Sequence, residues 1–473
     1  MRRPTADFHA RLFVAIFAGI VLVGTGLLML PWVTHSGQAT PPTDALFTAM
    51  SALSVTGLVT LDTATHWNWF GQLVILLLIQ IGGLGFMVGA SLVLSVLIRG
   101  GRRLSHQMMI SENIPTLTLS EAVLMARRIA RFTFIVDGVG ALLLTLRFLE
   151  DRDPPIALWH GIFHSVSAFC NAGFDLQGNF QSFTVYHGAF FLNIVLAALI
   201  QAGSLSYLAF ADIFENRRWR KLSGNTRLIL TFNAMLLVIG TAIFLGAEWN
   251  GAMSETAAST RPLQAVFQAV SVRTAGFATV DFSTASTFTE FSWVALMFIG
   301  GASGSTAGGV KLTTVAIILI AVLSEIRGRT EAEAFRRRIP PSLIMRAMTV
   351  VTLFFLIHFV MTLALSATEH VYGERPSFVA MLFEVMSAQA TVGLSDGHYP
   401  DPLDAGQVHH HPDDVRWPPR SADHCLCPGE ARARRPLPLP RDARPHRIDS
   451  VPCYLFSISF PTLLPLCPRS MRR

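Results

Sequence analysis

The residues best placed to do chemistry are four glycines, Gly57, Gly173, Gly276 and Gly393, each closing a short apolar stretch. In order the stretches read PPTDALFTAMSALSVTGL, PPIALWHGIFHSVSAFCNAGF, RPLQAVFQAVSVRTAGF and RPSFVAMLFEVMSAQATVGL. Proline opens each one, where its missing N–H costs a helix nothing. A Phe-x-x-x-Ser pair recurs as Phe47/Ser51, Phe163/Ser167, Phe267/Ser271 and Phe383/Ser387. One helical turn separates the members of a pair, so they share a face. Glycine reaches backbone conformations that other residues avoid. Loops of this kind can aim backbone carbonyls at a common axis and replace the water shell of a cation. The partly negative C-terminal ends of the short helices would point the same way. Glycine C-caps on ordinary helices would give the same local pattern. Four copies in one order of proline, pair and glycine form an internal repeat, which sets the fold before any single motif does.

Other residues offer narrower chemistry. An acidic residue follows each stretch: Asp62, Asp175, Asp281 and Asp396. Such carboxylates could concentrate cations at an outer mouth or simply cap loops, and the sequence favours neither. His160 and His164 lie one turn apart but do not complete a metal site. Gly-Ala-Ser-Gly (301–304) matches the Gly-x-Ser-Gly pattern of intramembrane serine proteases, with His358 on a later apolar segment. Serine and base must come within hydrogen-bond reach for that chemistry, and it would leave the four glycine stretches unexplained. His358 reads better as a packed residue.

The elements that must hold these residues are membrane helices. Half of the 473 residues are hydrophobic (51%) and few are charged (14%), with a mean hydropathy of +0.46. A bilayer crossing takes about 20 apolar residues. Apolar runs at 8–31, 70–98, 126–149, 186–212, 225–246, 288–323 and 342–366 meet that length. The first has no small-residue cleavage site and is expected to be retained. The net charge of +6 is not a nucleic-acid signal, because its placement accounts for it. Arg2, Arg3 and Arg11 lie at the N-terminus. Arg99, Arg102, Arg103, Arg127 and Arg128, then Arg217, Arg218, Arg220 and Lys221, then Arg327, Arg329, Arg336, Arg337 and Arg338 fill every second loop. The positive-inside rule puts these and the N-terminus in the cytoplasm. Before residue 400 the sole cysteine is Cys170, so no disulfide framework is indicated.

The expected fold is all-α and transmembrane: four pseudo-repeated span–pore-loop–span units around one pore. Irregular backbone at membrane depth is tolerated where protein or a watery cavity satisfies it. The units are expected at 1–100, 101–215, 216–325 and 326–397. The last apolar run of the third unit contains GGASGSTAGGVK (300–311). Each glycine there costs a helix up to about 1 kcal/mol, so a break and a loop are expected. A close helix contact through small residues is the alternative.

At these positions the sequence resembles the Trk/Ktr/HKT superfamily of potassium transporters. The matching residues are SVTGL (54–58), CNAGF (170–174), RTAGF (273–277), ATVGL (390–394), IGGLGFM (81–87) and GGASGSTAGGVK (300–311). The resemblance covers about 8–398, with the last motif most like the Ktr and bacterial Trk branches. It implies potassium uptake, and sometimes sodium, across the inner (plasma) membrane, with no enzyme activity and no cofactor beyond the transported ion. It implies filter carbonyls at Val55, Thr56 and Gly57; Asn171, Ala172 and Gly173; Thr274, Ala275 and Gly276; and Thr391, Val392 and Gly393. It implies an intramembrane gate formed by Gly300, Gly301, Ser303, Gly304, Ser305, Thr306, Gly308 and Gly309, with Lys311 near its end. Implied partners are a second copy of the chain, a cytosolic ring of nucleotide-binding regulatory subunits and membrane lipid. A sodium-selective or sodium-coupled carrier, an intramembrane serine hydrolase and a non-transporting assembly subunit are the other readings.

The sequence departs from that pattern after about Gly397. The expected final span is missing, and 398–473 is rich in Pro, Arg, His and Asp. Residues 451–467 are apolar but carry three prolines, which argues against a helix. Read one nucleotide downstream with suitable synonymous codons, the segment encodes a hydrophobic helix containing Gly-Arg-Leu-Gly-Pro, as the family has in its last span. A reading-frame shift is therefore expected, and a genuine disordered tail is the alternative. DNA sequencing across the codons for 395–410 should reveal the shifted frame; a replicated, unbroken frame as printed would contradict it.

Overall fold

A computed structural model describes residues 6–103, 119–329, 331–335, 337–372 and 377–397. The expected frame shift and the tail beyond Gly397 lie outside the described residues. The described chain is helical, apart from a two-residue antiparallel ladder pairing Glu333 with Arg338 and Ala334 with Arg337.

Its thirteen described helices fall into a recurring order. Helix α1 (Ala6–Leu28) precedes the short α2 (Pro42–Ser54) and the long α3 (Trp69–Arg103). Next come α4 (Leu119–Phe148), the short α5 (Pro154–Cys170), α6 (Phe190–Ser204) and α7 (Tyr207–Asn216). Then follow α8 (Gly224–Glu248), the short α9 (Arg261–Ser271), α10 (Thr287–Phe298) and α11 (Leu312–Ile326). Last are α12 (Pro341–Tyr372) and the short α13 (Phe378–Gln389). Proline occupies the first turn of α2, α5 and α9, as the sequence suggests. Helix α13 starts differently: Ser377 Oγ accepts the Ala380 N–H at 3.0 Å and caps it.

Among the described residues four helices are long and apolar enough to cross a bilayer: Trp69–Val88, Val123–Phe148, Gly224–Glu248 and Pro341–Thr368. Their outer faces carry exposed Phe134, Ile135, Val139, Leu142, Val238, Phe355, Phe359 and Leu363. Side chains of that kind on a helix face suit lipid rather than water. The short helices behave oppositely. Phe163, Phe267 and Phe383 are buried, as are the serines one turn later, and Phe47 is half-buried.

Two long apolar runs are interrupted. The expected break in the third unit lies between Phe298 and Leu312. The run at 186–212 was expected to be continuous, but it breaks between α6 and α7 with a 98° bend. Its QAGSLS segment (201–206) has the same small-residue character as the glycine loop. Ser206 Oγ accepts the Leu208 N–H at 3.1 Å and so starts a new helix.

Buried Glu248 ends α8 and ties it to the start of α10. Its carboxylate accepts from Ser286 N (2.9 Å), Ser286 Oγ (2.6 Å), Thr289 Oγ1 (2.5 Å) and Ala252 N (2.9 Å). Removing a buried acceptor that serves several donors is costly. Glu248→Ala should destabilise the protein by roughly 3 kcal/mol, because hydrogen bonds to a charged group are each worth about 1.5–3 kcal/mol. Thermal unfolding in detergent checks this, and an unchanged midpoint would contradict it.

Candidate functional site

Each short helix ends in the same backbone figure. Two residues before each glycine the chain turns left-handed, at Val55 (φ 58°), Asn171 (φ 59°), Thr274 (φ 71°) and Thr391 (φ 54°). The glycines follow with positive φ: Gly57 91°, Gly173 72°, Gly276 79° and Gly393 86°. Asparagine tolerates the left-handed region, but β-branched Val55, Thr274 and Thr391 do not. Such residues each store about 1–3 kcal/mol and persist where surrounding structure enforces them.

The enforcement is visible behind the loops. The residue between the two positive-φ positions donates its N–H to the serine carbonyl of its short helix in every copy. The pairs are Thr56–Ser51 (2.8 Å), Ala172–Ser167 (2.8 Å), Ala275–Ser271 (2.9 Å) and Val392–Ser387 (2.8 Å). With its N–H held backward, the next peptide is free to face the other way. The serine hydroxyls add a second tie. Ser51 Oγ accepts the Gly57 N–H at 3.1 Å, while Ser167 and Ser271 donate to the Phe174 and Phe277 carbonyls at 2.6 and 2.5 Å. This is the work done by the Phe-x-x-x-Ser pattern. Among the described residues Ser387 Oγ has no partner, so the fourth loop lacks that second tie there.

The loops meet as a closed cycle. A Cβ on Gly57 would strike the Ala172 carbonyl oxygen, and one on Gly173 would lie 3.1 Å from Ala275 O. On Gly276 it would lie 2.6 Å from Val392 O, and on Gly393 it would strike Thr56 O. Each glycine therefore faces the carbonyl before the next glycine, in chain order, and the fourth returns to the first. The twelve positions from Val55 to Gly393 singled out in the sequence are brought together. The third loop is one residue shorter than the others yet keeps the same figure.

The broken segment 299–311 packs against the loops. Val310 N donates to Phe298 O and Gly300 N to Val310 O, both at 3.0 Å, which closes the segment on itself. Thr306 Oγ1 donates to Phe169 O, at the end of α5, at 3.1 Å. A Cβ on Gly308 would collide with Thr391 and Ala390 of the fourth loop. Gly300 and Gly301 are equally hemmed in, by Gly308 and by Ala307. Gly304 and Gly309 have positive φ (85° and 62°). Ser303 Oγ pairs with Thr313 Oγ1 (2.9 Å), Ser305 Oγ donates to Ala302 O (2.6 Å) and Lys311 Nζ donates to Ala307 O (2.6 Å).

Some functional geometry was not foreseen. The bend after α6 docks the broken segment: Ser204 O accepts from Ala302 N (2.9 Å) and Gly203 O from Thr306 N (3.2 Å). The two helix breaks satisfy each other's backbone. Arg273, beside Thr274, is 2% exposed. Its guanidinium donates to Asn233 Oδ1 (2.5 Å) and to Gly300 O (3.1 Å), and Asn233 in turn donates to Gln201 Oε1 (2.9 Å). This chain links the third loop to the broken segment and to α6. The RTAGF match contained Arg273, but nothing local marks an arginine as buried.

The titratable residues named earlier have structural partners. His164 Nδ1 lies 2.7 Å from the His160 carbonyl, and its Nε2 accepts the Leu176 N–H at 3.0 Å. It is therefore a neutral imidazole pinning α5 to the loop beyond Gly173. His160 pairs with Arg152 (3.1 Å), and His358 Nδ1 with Gln389 Oε1 (3.2 Å). Asp62, Asp175 and Asp281 accept local backbone N–H groups, as loop caps do. Asp62 also reaches Phe180 N at 2.8 Å. Burial pushes the Asp175 carboxyl up to about 6, with the Asp62 charge adding to it.

The chain matches the cation transport protein family TrkH over residues 9–404. It belongs to the TrkH family. Members are ion transporters, not enzymes, which removes the serine hydrolase reading of Ser303 and His358. Among its TrkH-family relatives is the potassium/sodium uptake protein NtpJ of Enterococcus hirae. That protein is 38% identical over 394 residues, covering 83% of this chain and 86% of the relative. The Ktr system potassium uptake protein B of Bacillus subtilis is 36% identical over 392 residues, covering 82% and 85%. The crystal structure of the potassium transporter TrkH from Vibrio parahaemolyticus shares the fold, with a TM-score of 0.61. Its identity is 20%, over 80% of this chain and 76% of that one.

Alanine at Gly57 or Gly393 should destabilise the protein by about 1–3 kcal/mol, as overpacking does. Gly173, whose facing carbonyl stands furthest off, should tolerate alanine best. Thermal unfolding of the three variants tests this order; a larger loss at Gly173 than at Gly57 would contradict it.

Proposed function

We propose that this chain carries potassium across the plasma membrane, through one pore lined by its four glycine loops. The observation that carries this reading is the cyclic order of the loops. Four carbonyls, those of Thr56, Ala172, Ala275 and Val392, each lie against a glycine of a neighbouring loop in one closed cycle. Carbonyl dipoles in such a ring suit a dehydrated monovalent cation. The units at 1–100, 101–215, 216–325 and 326–397 each contribute one loop. The four short helices behind them end at the ring and direct their negative poles to it.

Segment 300–311 acts as the gate. It is non-helical, packs on the second and fourth loops, and is held mainly by backbone hydrogen bonds to the α6 break. Small residues without bulky side chains let such a segment change position at low cost. Lys311 ends the segment and places a positive charge near it, which opposes passage of a cation. Arg273 fixes the first gate residue to the third loop.

The names of the relatives support potassium as cargo, and one is named for sodium as well. A sodium-selective or sodium-coupled variant is therefore the second reading. The chain is read as a homodimer in the bacterial inner membrane with its N-terminus in the cytoplasm. Ktr relatives are named as parts of a system, which supports a separate cytosolic regulatory ring for this chain too.

Frame-restored protein should rescue growth of a potassium-uptake-deficient bacterium on low potassium, and the printed chain should rescue it poorly or not at all. In liposomes the restored chain should take up radiolabelled rubidium, and Gly276→Ala should cut that flux about tenfold or more, the equivalent of a strain of roughly 1.4 kcal/mol. Equal rescue by both chains would contradict the frame argument. Undiminished flux in Gly276→Ala would contradict the filter.

A further inference from the structure

Behind the second loop lies a buried polar cluster that the filter and gate do not use. It sits where α3, α4 and α5 meet. Asp137, midway along α4, is 6% exposed. Among the described residues no cationic group pairs with it. Its Oδ2 accepts from Gln80 Nε2 at 3.3 Å, a long bond, and its backbone carbonyl accepts from Ser165 Oγ at 2.8 Å. Its Oδ1 has no hydrogen-bond partner. Neither does Gln80 Oε1, on the same amide that touches the carboxylate. Thr133, one turn earlier on the same face of α4, is fully buried, and its Oγ1 is unpartnered too.

Three buried oxygens on two neighbouring helices, Asp137 Oδ1, Gln80 Oε1 and Thr133 Oγ1, thus lack partners among the described residues. A charge at membrane depth is costly unless something compensates it. A proton on Asp137 would neutralise the charge but could serve only one of the other two oxygens. A single cation can serve all three, and carboxylate, amide and hydroxyl oxygens are the ligands that hard cations take. One carboxylate with otherwise neutral oxygens matches a single positive charge. The surroundings are tight: a Cβ on Gly83 would lie 2.6 Å from Cys170 Sγ, and one on Gly140 would strike Ser165. Tight packing favours the smaller alkali ion.

We propose that Asp137, Gln80 and Thr133 form a sodium site at membrane depth, bridging α3 and α4 behind α5. The proposal does not use the filter or gate assignments. It adds a binding site outside the conduction path, next to the helix that carries Asn171–Gly173.

The test is thermal unfolding of the purified full chain in nanodiscs at fixed ionic strength, with sodium, potassium or N-methylglucamine chloride. A ligand that binds only the folded state raises the midpoint with its concentration. Sodium should raise it saturably at a fixed potassium concentration, which keeps the occupancy of the four-loop ring constant. Asp137→Asn should abolish the sodium response. Thr133→Val, which keeps the packing and removes one ligand, should keep the sodium-free midpoint and shift the half-maximal sodium concentration up by about tenfold. A sodium response retained at full strength in both variants would overturn the proposal. So would a midpoint that follows pH and ignores sodium, which is the behaviour of a protonated carboxyl.

Discussion

Everything in this structure depends on satisfying four stretches of irregular backbone enclosed by apolar helices. Lipid supplies no hydrogen bonds, so each exposed peptide group must be satisfied from within. The solution repeats four times. A short helix carries a serine in its last turn, that serine's carbonyl takes the N–H of the residue before the glycine, and the chain swings through a left-handed residue into glycine. That turn leaves one carbonyl lying against the glycine of a neighbouring loop. Three of the four left-handed positions hold β-branched residues, so the loops are strained and need the surrounding helices to hold them.

The same constraint explains the two broken helices. A break leaves unpaired carbonyls and N–H groups, which are expensive in a bilayer. Here each break supplies what the other lacks: Ser204 and Gly203 accept from Ala302 and Thr306. Arg273, Asn233 and Gln201 add a polar chain along the same seam. The second, third and fourth loops are thus joined through segment 299–311. A movement of that segment would be felt at Thr391 and at the end of α5. This coupling needs no large side chain, which is consistent with its glycine-rich composition.

Much of this was legible in the sequence because it is written in repeats. Proline, Phe-x-x-x-Ser and glycine in one order mark the short helices, and the structure gives the serines their backbone role. The break before Leu312 was legible from glycine density alone. The bend after Ser204 was not, since QAGSLS is short and sits in an otherwise continuous apolar run. Arg273 and Asp137 were also invisible, because burial of a charge depends on neighbours from other helices. The outer carboxylates could be read two ways, and hydrogen bonds from Ala64, Thr65, Gln177 and Ser283 show three of them capping loops.

In the proposed filter Thr56, Ala172, Ala275 and Val392 present their carbonyls to one dehydrated cation. Anomalous X-ray diffraction from crystals of the frame-restored chain in rubidium would test it most directly. An anomalous peak should lie between those four carbonyls and vanish when rubidium is replaced by N-methylglucamine. Rubidium bound elsewhere, with none between those carbonyls, would contradict it.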